Sequence, residues 1–210
     1  MRASLVWEKL LIEKKKMVTS WEIRELAKEI SKDKDQLIDY LRRNEYLERI
    51  LRGIFYVKSL EERERHTYEY PIYERVGMAL KEKGVKNWYY GLETALKLNT
   101  MTHEYFMIDY VITDSFRTTK VISIAGQSFR FIKRGGKHFK DGITKERRIR
   151  YSIPEKTVLD IAYRSYLQTK KEALYIETIK EYNDRLDGKK ARKLLAPYPK
   201  KFRETVEALL

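Results

Sequence analysis

Residues 18–57 read VTSWEIRELAKEISKDKDQLIDYLRRNEYLERILRGIFYV, and the order of signals in this stretch decides the fold of the N-terminal part. It opens on Thr19-Ser20-Trp21-Glu22, a capping box: the Thr19 hydroxyl can accept from the Glu22 N–H while the Glu22 carboxylate reaches back to the Thr19 N–H. Val18 and Ile23 stand at the two positions of a hydrophobic staple. Ile23, Leu26, Ala27 and Ile30 then recur at the spacing of one helix face. Ser31-Lys32-Asp33 interrupts that face and can cap a second helix, whose stripe is Leu37, Ile38 and Leu41. Arg42-Arg43-Asn44 ends it. Two short strands, 46–50 and 54–57, flank Leu51-Arg52-Gly53, where Gly53 can take the positive φ of a tight hairpin. An earlier helix is marked by Leu5, Val6, Leu10 and Ile12. Three helices followed by a hairpin is the order of a winged helix-turn-helix, and a DNA-binding domain of that type is expected over residues 1–60.

Beyond it, Glu61-Glu62-Arg63-Glu64-Arg65-His66 is a charge run without an apolar stripe and reads as a linker. A second domain is expected over 68–210. Ile72, Val76, Ala79 and Leu80 mark a helix that ends before Gly84, and Leu92, Ala95, Leu96 and Leu98 mark another. Four segments with the composition of strands follow at 106–112, 120–124, 128–133 and 147–151, separated by turn signals such as Ala125-Gly126 and Gly135-Gly136. Ser152-Ile153-Pro154-Glu155 reads as a second capping box with proline in the first turn. Helical stripes through Val158, Leu159, Ala162 and Tyr166, and through Leu174, Ile176 and Ile179, lead to a last helix ending at Leu209-Leu210. The expected fold class is α+β, an N-terminal winged helix-turn-helix followed by a mixed domain with a small antiparallel sheet and C-terminal helices.

Composition narrows the partners. The chain carries a net charge of +14, which favours a polyanion, nucleic acid first. The excess is concentrated between Arg117 and Arg150, where eleven basic residues face only Asp141 and Glu146. Cysteine is absent, so no disulfide, thiolate metal site or cysteine nucleophile exists. No stretch reads as a signal peptide or a membrane span, and a cytoplasmic location without membrane contact is expected. Charged residues make up 36% of the chain while Asn and Gln are scarce, a mixture like that of thermophile proteins.

Two stretches together resemble the AbiEi family of antitoxins. The first is Tyr40-Leu41-Arg42-Arg43-Asn44-Glu45-Tyr46-Leu47-Glu48-Arg49-Ile50-Leu51-Arg52-Gly53-Ile54-Phe55-Tyr56-Val57, similar to that family's recognition helix running into its wing. The second is Trp88-Tyr89-Tyr90-Gly91-Leu92-Glu93-Thr94-Ala95-Leu96, followed by Ser152-Ile153-Pro154-Glu155-Lys156-Thr157-Val158-Leu159-Asp160. The resemblance implies a regulator that binds its own promoter, represses its own operon and opposes a nucleotidyltransferase-like toxin, with antitoxin activity needing the C-terminal part. The chain departs from that pattern in placing Asp33, Asp35 and Asp39 among the basic residues of the second helix-turn-helix helix, where acids near phosphates cost affinity.

Candidate DNA contacts in the winged helix are Thr19, Ser20, Lys32, Lys34, Gln36, Arg42 and Arg43, with Arg49 and Arg52 on the wing. Lys and Arg can neutralise phosphates and Gln36 can read an adenine edge. A second nucleic-acid contact is expected from Arg130, Lys133, Arg134, Lys137, Lys140, Arg147, Arg148 and Arg150. Strand alternation would set Arg130 opposite Phe129 and Phe131, and Arg148 and Arg150 opposite Ile149 and Tyr151, giving one cationic sheet face beside a loop crowded with Lys133, Arg134, Lys137, His138 and Lys140. Trp88-Tyr89-Tyr90 can stack on bases, but packing at the start of a helix is the preferred reading. No cofactor, metal or catalytic residue is expected. His66, His103 and His138 lack metal-ligand spacing, and Gly135-Gly136-Lys137 fails the phosphate-loop pattern at Phe131 and His138. The alternative is a Mg²⁺-dependent nuclease using Asp109 and Asp114, with Lys120 nearby. A third reading is a protein-interaction module whose charge serves an acidic partner.

Overall fold

In the computed structural model, which describes residues 3–146, 148–169 and 171–210, the capping box closes at Thr19. The Glu22 N–H donates to the Thr19 hydroxyl at 3.2 Å, and the Thr19 N–H donates to Glu22 Oε2 at 2.7 Å. The chain runs α1 (Ser4–Ile12), β1 (Met17–Thr19), α2 (Ser20–Glu29), α3 (Lys34–Arg43), β2 (Leu47–Leu51) and β3 (Ile54–Val57). Asp33 caps α3, its carboxylate accepting from the Asp35 and Gln36 N–H groups at 2.9 and 3.0 Å. β3 lies between β1 and β2 in a three-stranded antiparallel sheet. Phe55 and Val57 share one core with Val6, Leu10, Ile23, Leu37 and Leu41 from the three helices.

All four residues of β3 are buried, so the opposite face of this sheet is covered as well. The cover is not where the charge run suggests a linker. That run forms α4 (Leu60–Glu64), and after it α5 (Ile72–Glu82) packs on all three strands. Glu62 of α4 is buried and accepts from the Tyr56 hydroxyl at 2.6 Å, the Ser59 N–H at 2.7 Å and the Glu69 N–H at 2.8 Å. Burial pushes this carboxyl up, but the donors outweigh it and hold it below the ordinary carboxylate value. Arg75 of α5 pairs with Glu48 of β2 and stacks on the Tyr68 ring, 3.6 Å from its centroid. The chain therefore divides into compact units after Lys86, not within 61–66. The first unit is residues 1–86 with 124–126, the second 87–123 with 127–210.

From Asn87 on, the chain forms β4 (Trp88–Tyr90), α6 (Leu92–Leu98), β5 (Ile108–Thr113), β6 (Ile122–Ile124, the last residue of which is grouped with the first unit), β7 (Gln127–Lys133), β8 (Ile143–Glu146), β9 (Ile149–Ser152), α7 (Pro154–Thr169), α8 (Glu172–Tyr182), α9 (Gly188–Lys193) and α10 (Lys200–Glu207). The sheet here is six-stranded and mixed, in the order β6-β7-β5-β4-β9-β8, and so corrects the expectation of a small antiparallel one. β5 runs parallel to β7 from Ile108↔Ser128 to Thr113↔Lys133, and β4 runs parallel to β9 at Tyr90↔Tyr151. β6 is the edge strand beyond β7, which lets the chain turn back twice and lay β7 alongside β5 in the same direction. Trp88-Tyr89-Tyr90 is a strand of three buried aromatics, so the packing reading holds while the helical placement does not. Ser152 belongs to the strand before α7 and not to the cap position, because the helix begins two residues later at Pro154. Ser152 ends β9 with its hydroxyl 2.7 Å from that of Thr157, and Glu155 accepts instead from the Asp187 N–H at 3.3 Å.

Tyr89 and Ile112 of the sheet join Val158, Leu159 and Ala162 of α7, Tyr175 and Ile179 of α8, and Phe202 and Val206 of α10 in the core of this unit. Within it, buried Asp160 accepts from the Tyr89 and Tyr198 hydroxyls, each at 2.8 Å, and lies 3.5 Å from the equally buried Lys156 ammonium. Burial first, and then the Asp160 charge, pushes both phenols well above their ordinary value, so they remain hydrogen-bond donors. Among the described residues no helix is long and apolar enough to cross a membrane.

Candidate nucleic-acid interface

In α3, Leu37 and Leu41 turn inward, which leaves Gln36, Asp39, Tyr40 and Arg43 exposed on the far side. Lys34 departs from its expected role. It stands three and seven residues before Leu37 and Leu41, on the core side, and its half-buried ammonium pairs with Asp35 at 3.1 Å. Arg42 is exposed at the flank. Lys32 lies in the connection between α2 and α3 and lines a shallow groove of about 320 Å³ with Arg24, Lys28 and Lys34. Arg24 and Lys28 are cations beyond the expected contacts. Their spacing with Lys32, four residues apart each, is the signal that sets them along one edge of α2.

The hairpin tip is fixed to the start of α2. Gly53 adopts φ +75°, and its carbonyl accepts from the Ser20 N–H at 2.8 Å. A side chain at Gly53 would press on the Ser20 hydroxyl, 3.1 Å away. Thr19 and Ser20 thus serve as cap and anchor, and Arg52 is held exposed beside them. Arg49 is exposed on β2, where the register shifts between Arg49 and Leu51. The candidate contacts therefore fall into three groups, the outer face of α3, the α2–α3 connection with Lys32, and the hairpin with the start of α2.

The expected cationic sheet face does not form. Arg130 alternates with buried Phe129 and Phe131 as expected, and Arg150 lies on β9, but β5 and β4 stand between their strands. Three strand spacings separate the two by about 14 Å. The intervening residues on that face, Tyr110, Ile112 and Tyr89, belong to the core. Arg148 is a turn residue at φ +65°, so it does not alternate with Ile149, and Arg147 lies outside the described residues. Arg134 is half-buried over the Tyr163 ring at 5.0 Å.

The loop after β7 does gather charge. Lys133, Lys137 and Lys140 are exposed. α9, with the sequence Gly188-Lys189-Lys190-Ala191-Arg192-Lys193, converges on the same region. Lys137, Lys140 and Asp141 from one segment meet Lys193 and Leu194 from the other around a cleft of about 200 Å³. His138 does not contribute a cation to it. Its ring is buried, stacked on Tyr163 and edge-on to Tyr198, and Nδ1 finds no hydrogen-bond partner among the described residues. Burial lowers the His138 pKa to about 4, opposed by Asp160 and reinforced by Lys156, Arg134 and Lys137, so the imidazole is neutral near pH 7.

The full chain shares its fold with RV2827C of Mycobacterium tuberculosis. The similarity spans 99% of this chain and 75% of that one, with a TM-score of 0.59 and 16% sequence identity. The sequence matches no family model and no curated protein.

The carboxylates of the nuclease alternative do not converge. Asp109 is buried, salt-bridged to Lys97 at 2.7 Å and bonded to Thr94 at 3.2 Å. Asp114 lies beyond the other end of β5 and accepts from the Asn87 amide at 2.7 Å. Five residues of extended chain place their backbones about 16 Å apart, too far to share one metal ion. Among the described residues no group of three His, Asp or Glu side chains could hold a metal.

Proposed function

We propose that this chain is a sequence-specific DNA-binding transcriptional regulator whose first unit is a winged helix-turn-helix. The observation that carries the reading is the order α1-β1-α2-α3-β2-β3 with β3 central in its sheet, together with a hairpin tip tethered to α2 through Ser20 and Gly53. α3 would enter the major groove with Gln36 and Arg43 toward base edges, and Arg49 and Arg52 would ride the backbone. α3 and its cap balance Lys34, Arg42 and Arg43 against Asp33, Asp35 and Asp39, so phosphate attraction there is small. Affinity would come instead from the wing, from Arg24, Lys28 and Lys32, and from the basic loop after β7.

The same proposal extends to the regulated gene. The resemblance of the 40–57, 88–96 and 152–160 stretches to AbiEi antitoxins supports a repressor of its own operon that opposes a nucleotidyltransferase-like toxin, and it needs no cofactor.

The test is fluorescence anisotropy on DNA from upstream of the gene against a scrambled duplex, at low salt and at 150 mM. The expected result is preference for the upstream duplex. In the Arg49→Ala/Arg52→Ala variant, loss of two phosphate contacts should flatten the log–log salt slope by about 2. Gln36→Ala should narrow the preference between the two duplexes by on the order of 1–3 kcal/mol. Equal affinity for both duplexes, with the wing variant unchanged, would overturn the reading. Growth rescue on co-expression with a neighbouring nucleotidyltransferase-like gene tests the antitoxin part, and absence of rescue removes it.

A further inference from the structure

We infer that the cleft between the 137–141 turn and residues 193–197 is a binding site for a compact oligophosphate, such as pyrophosphate or the phosphate tail of a nucleotide. The inference does not depend on the DNA-binding reading. Two basic segments more than fifty residues apart in sequence close on one recess of about 200 Å³. Lys137, Lys140 and Lys193 stand exposed at its rim, and none has an ion-pair partner among the described residues. Asp141 is the single acid there. Three unpaired ammonium groups against one carboxylate make a local field that only an added anion neutralises.

The shape selects the kind of anion. A pocket for a drug-sized molecule occupies roughly 300–1,000 Å³, so a recess of this size suits a smaller group. A duplex presents its phosphates on a convex surface and cannot seat them in a recess, whereas a free di- or triphosphate can. Leu194, Ala196 and Pro197 form an apolar wall, which displaces water and strengthens the attraction between lysine and phosphate. Lys is a suitable ligand because its compact ammonium binds phosphate as a point charge with three donors.

The floor is tightly packed, and its charge is already paired. The buried stem of Lys156 lines the cleft while its ammonium turns to Asp160 at 3.5 Å. Gly142 holds the turn close to that stem at φ +75°, where a Cβ would lie 2.9 Å from Lys156 Cδ and 3.1 Å from Leu194 Cδ2. The anion's charge would therefore be met by the three rim lysines, whose long side chains can adjust to it.

The experiment is isothermal titration of the full chain at 150 mM salt with pyrophosphate, ATP and inorganic phosphate. One site per chain is expected for pyrophosphate and ATP, with inorganic phosphate at least tenfold weaker. Lys137→Ala/Lys193→Ala should weaken pyrophosphate tenfold or more, the effect of losing one or two charge-assisted contacts. Ala196→Trp fills the recess while keeping every charge, and should abolish pyrophosphate binding while leaving affinity for the upstream DNA unchanged. If Ala196→Trp lowers the melting temperature, the exposed pair Lys137→Glu/Lys140→Glu is read in its place for pyrophosphate binding alone, since the loop after β7 also serves the proposed DNA contact. Absence of saturable binding at 10 mM, equal affinity for inorganic phosphate, or binding indifferent to both the filled recess and the reversed charges would each overturn the site. Loss of DNA affinity in Ala196→Trp with pyrophosphate unaffected would also overturn it and make the cleft part of the DNA contact.

Discussion

His138 couples the stability of the second unit to pH, and the size of the coupling follows from its burial. The imidazole is neutral in the fold, with its pKa lowered to about 4 from 6.5. The unfolded chain therefore binds more protons than the folded one between these two values, and stability falls as pH falls through that window. The contribution is complete above about pH 6.5 and lost below about 4. At 1.36 kcal/mol per pH unit, the whole window is worth about 3 kcal/mol, and about 2 kcal/mol of it is gone by pH 5. Carboxylates such as Glu62, held below their ordinary value, lower stability in the same direction as they protonate, so the wild-type slope alone does not isolate the histidine. The comparison that does is urea unfolding of wild type and His138→Phe at pH 8 and pH 5. Phe keeps the ring packing on Tyr163 and Tyr198 and cannot be protonated. The variant should lose about 2 kcal/mol less than wild type between the two pH values. Equal losses in the two proteins would refute the assignment of a buried neutral imidazole.

Arg75→Met leaves the half-buried Glu48 with the Tyr68 hydroxyl, 2.8 Å away, but without its guanidinium, and should cost about 2 kcal/mol in urea unfolding, while Arg75→Met/Glu48→Gln, which removes the unpaired charge and still accepts from Tyr68, should recover part of it. Thr19→Ala removes the hydroxyl that caps α2 and should lower stability by about 1 kcal/mol, read as a shift in the denaturation midpoint without a change in slope. Gly142→Ala forces a side chain into the left-handed region against the Lys156 stem and Leu194, and should cost roughly 1–3 kcal/mol in the same measurement.

The local elements of the first unit were legible because their signals are local. Thr19 and Asp33 cap helices, and Leu37 and Leu41 set a stripe, whatever the rest of the chain does. The same stripe, extended back by three residues, places Lys34 on the core side, so that correction was available from spacing alone. The role of α5 was less visible, yet Ile54-Phe55-Tyr56-Val57 carries a hint. An unbroken apolar run, without alternation, belongs to a strand buried on both faces. The mixed sheet of the second unit was out of reach, since nothing in residues 108–113 says that their neighbour is 128–133 or that the two run in the same direction. β8, with Thr144, Lys145 and Glu146, lacks any periodic mark of a strand. For the candidate sites, charge density pointed to the loop after β7. It could not show that α9 meets that loop from fifty residues downstream, or that His138, in the midst of lysines, is buried and neutral.

The parallel pairing of β4 with β9 also orders events in time. Tyr90 finds Tyr151 across some sixty residues, and Tyr89 finds Asp160 at a separation of 71. Loops of that length close slowly, because much chain must be ordered before any contact rewards it. The sheet of the first unit needs only residues 17–57, and its covering helix ends at Glu82. During synthesis the first unit can therefore be complete while β9 and α7 are still unmade. A nascent chain would pass through an interval in which its first unit is native and the aromatics of β4 and β5 are still without the helices that cover them. That interval, rather than the finished protein, is where a chaperone would find apolar surface to hold.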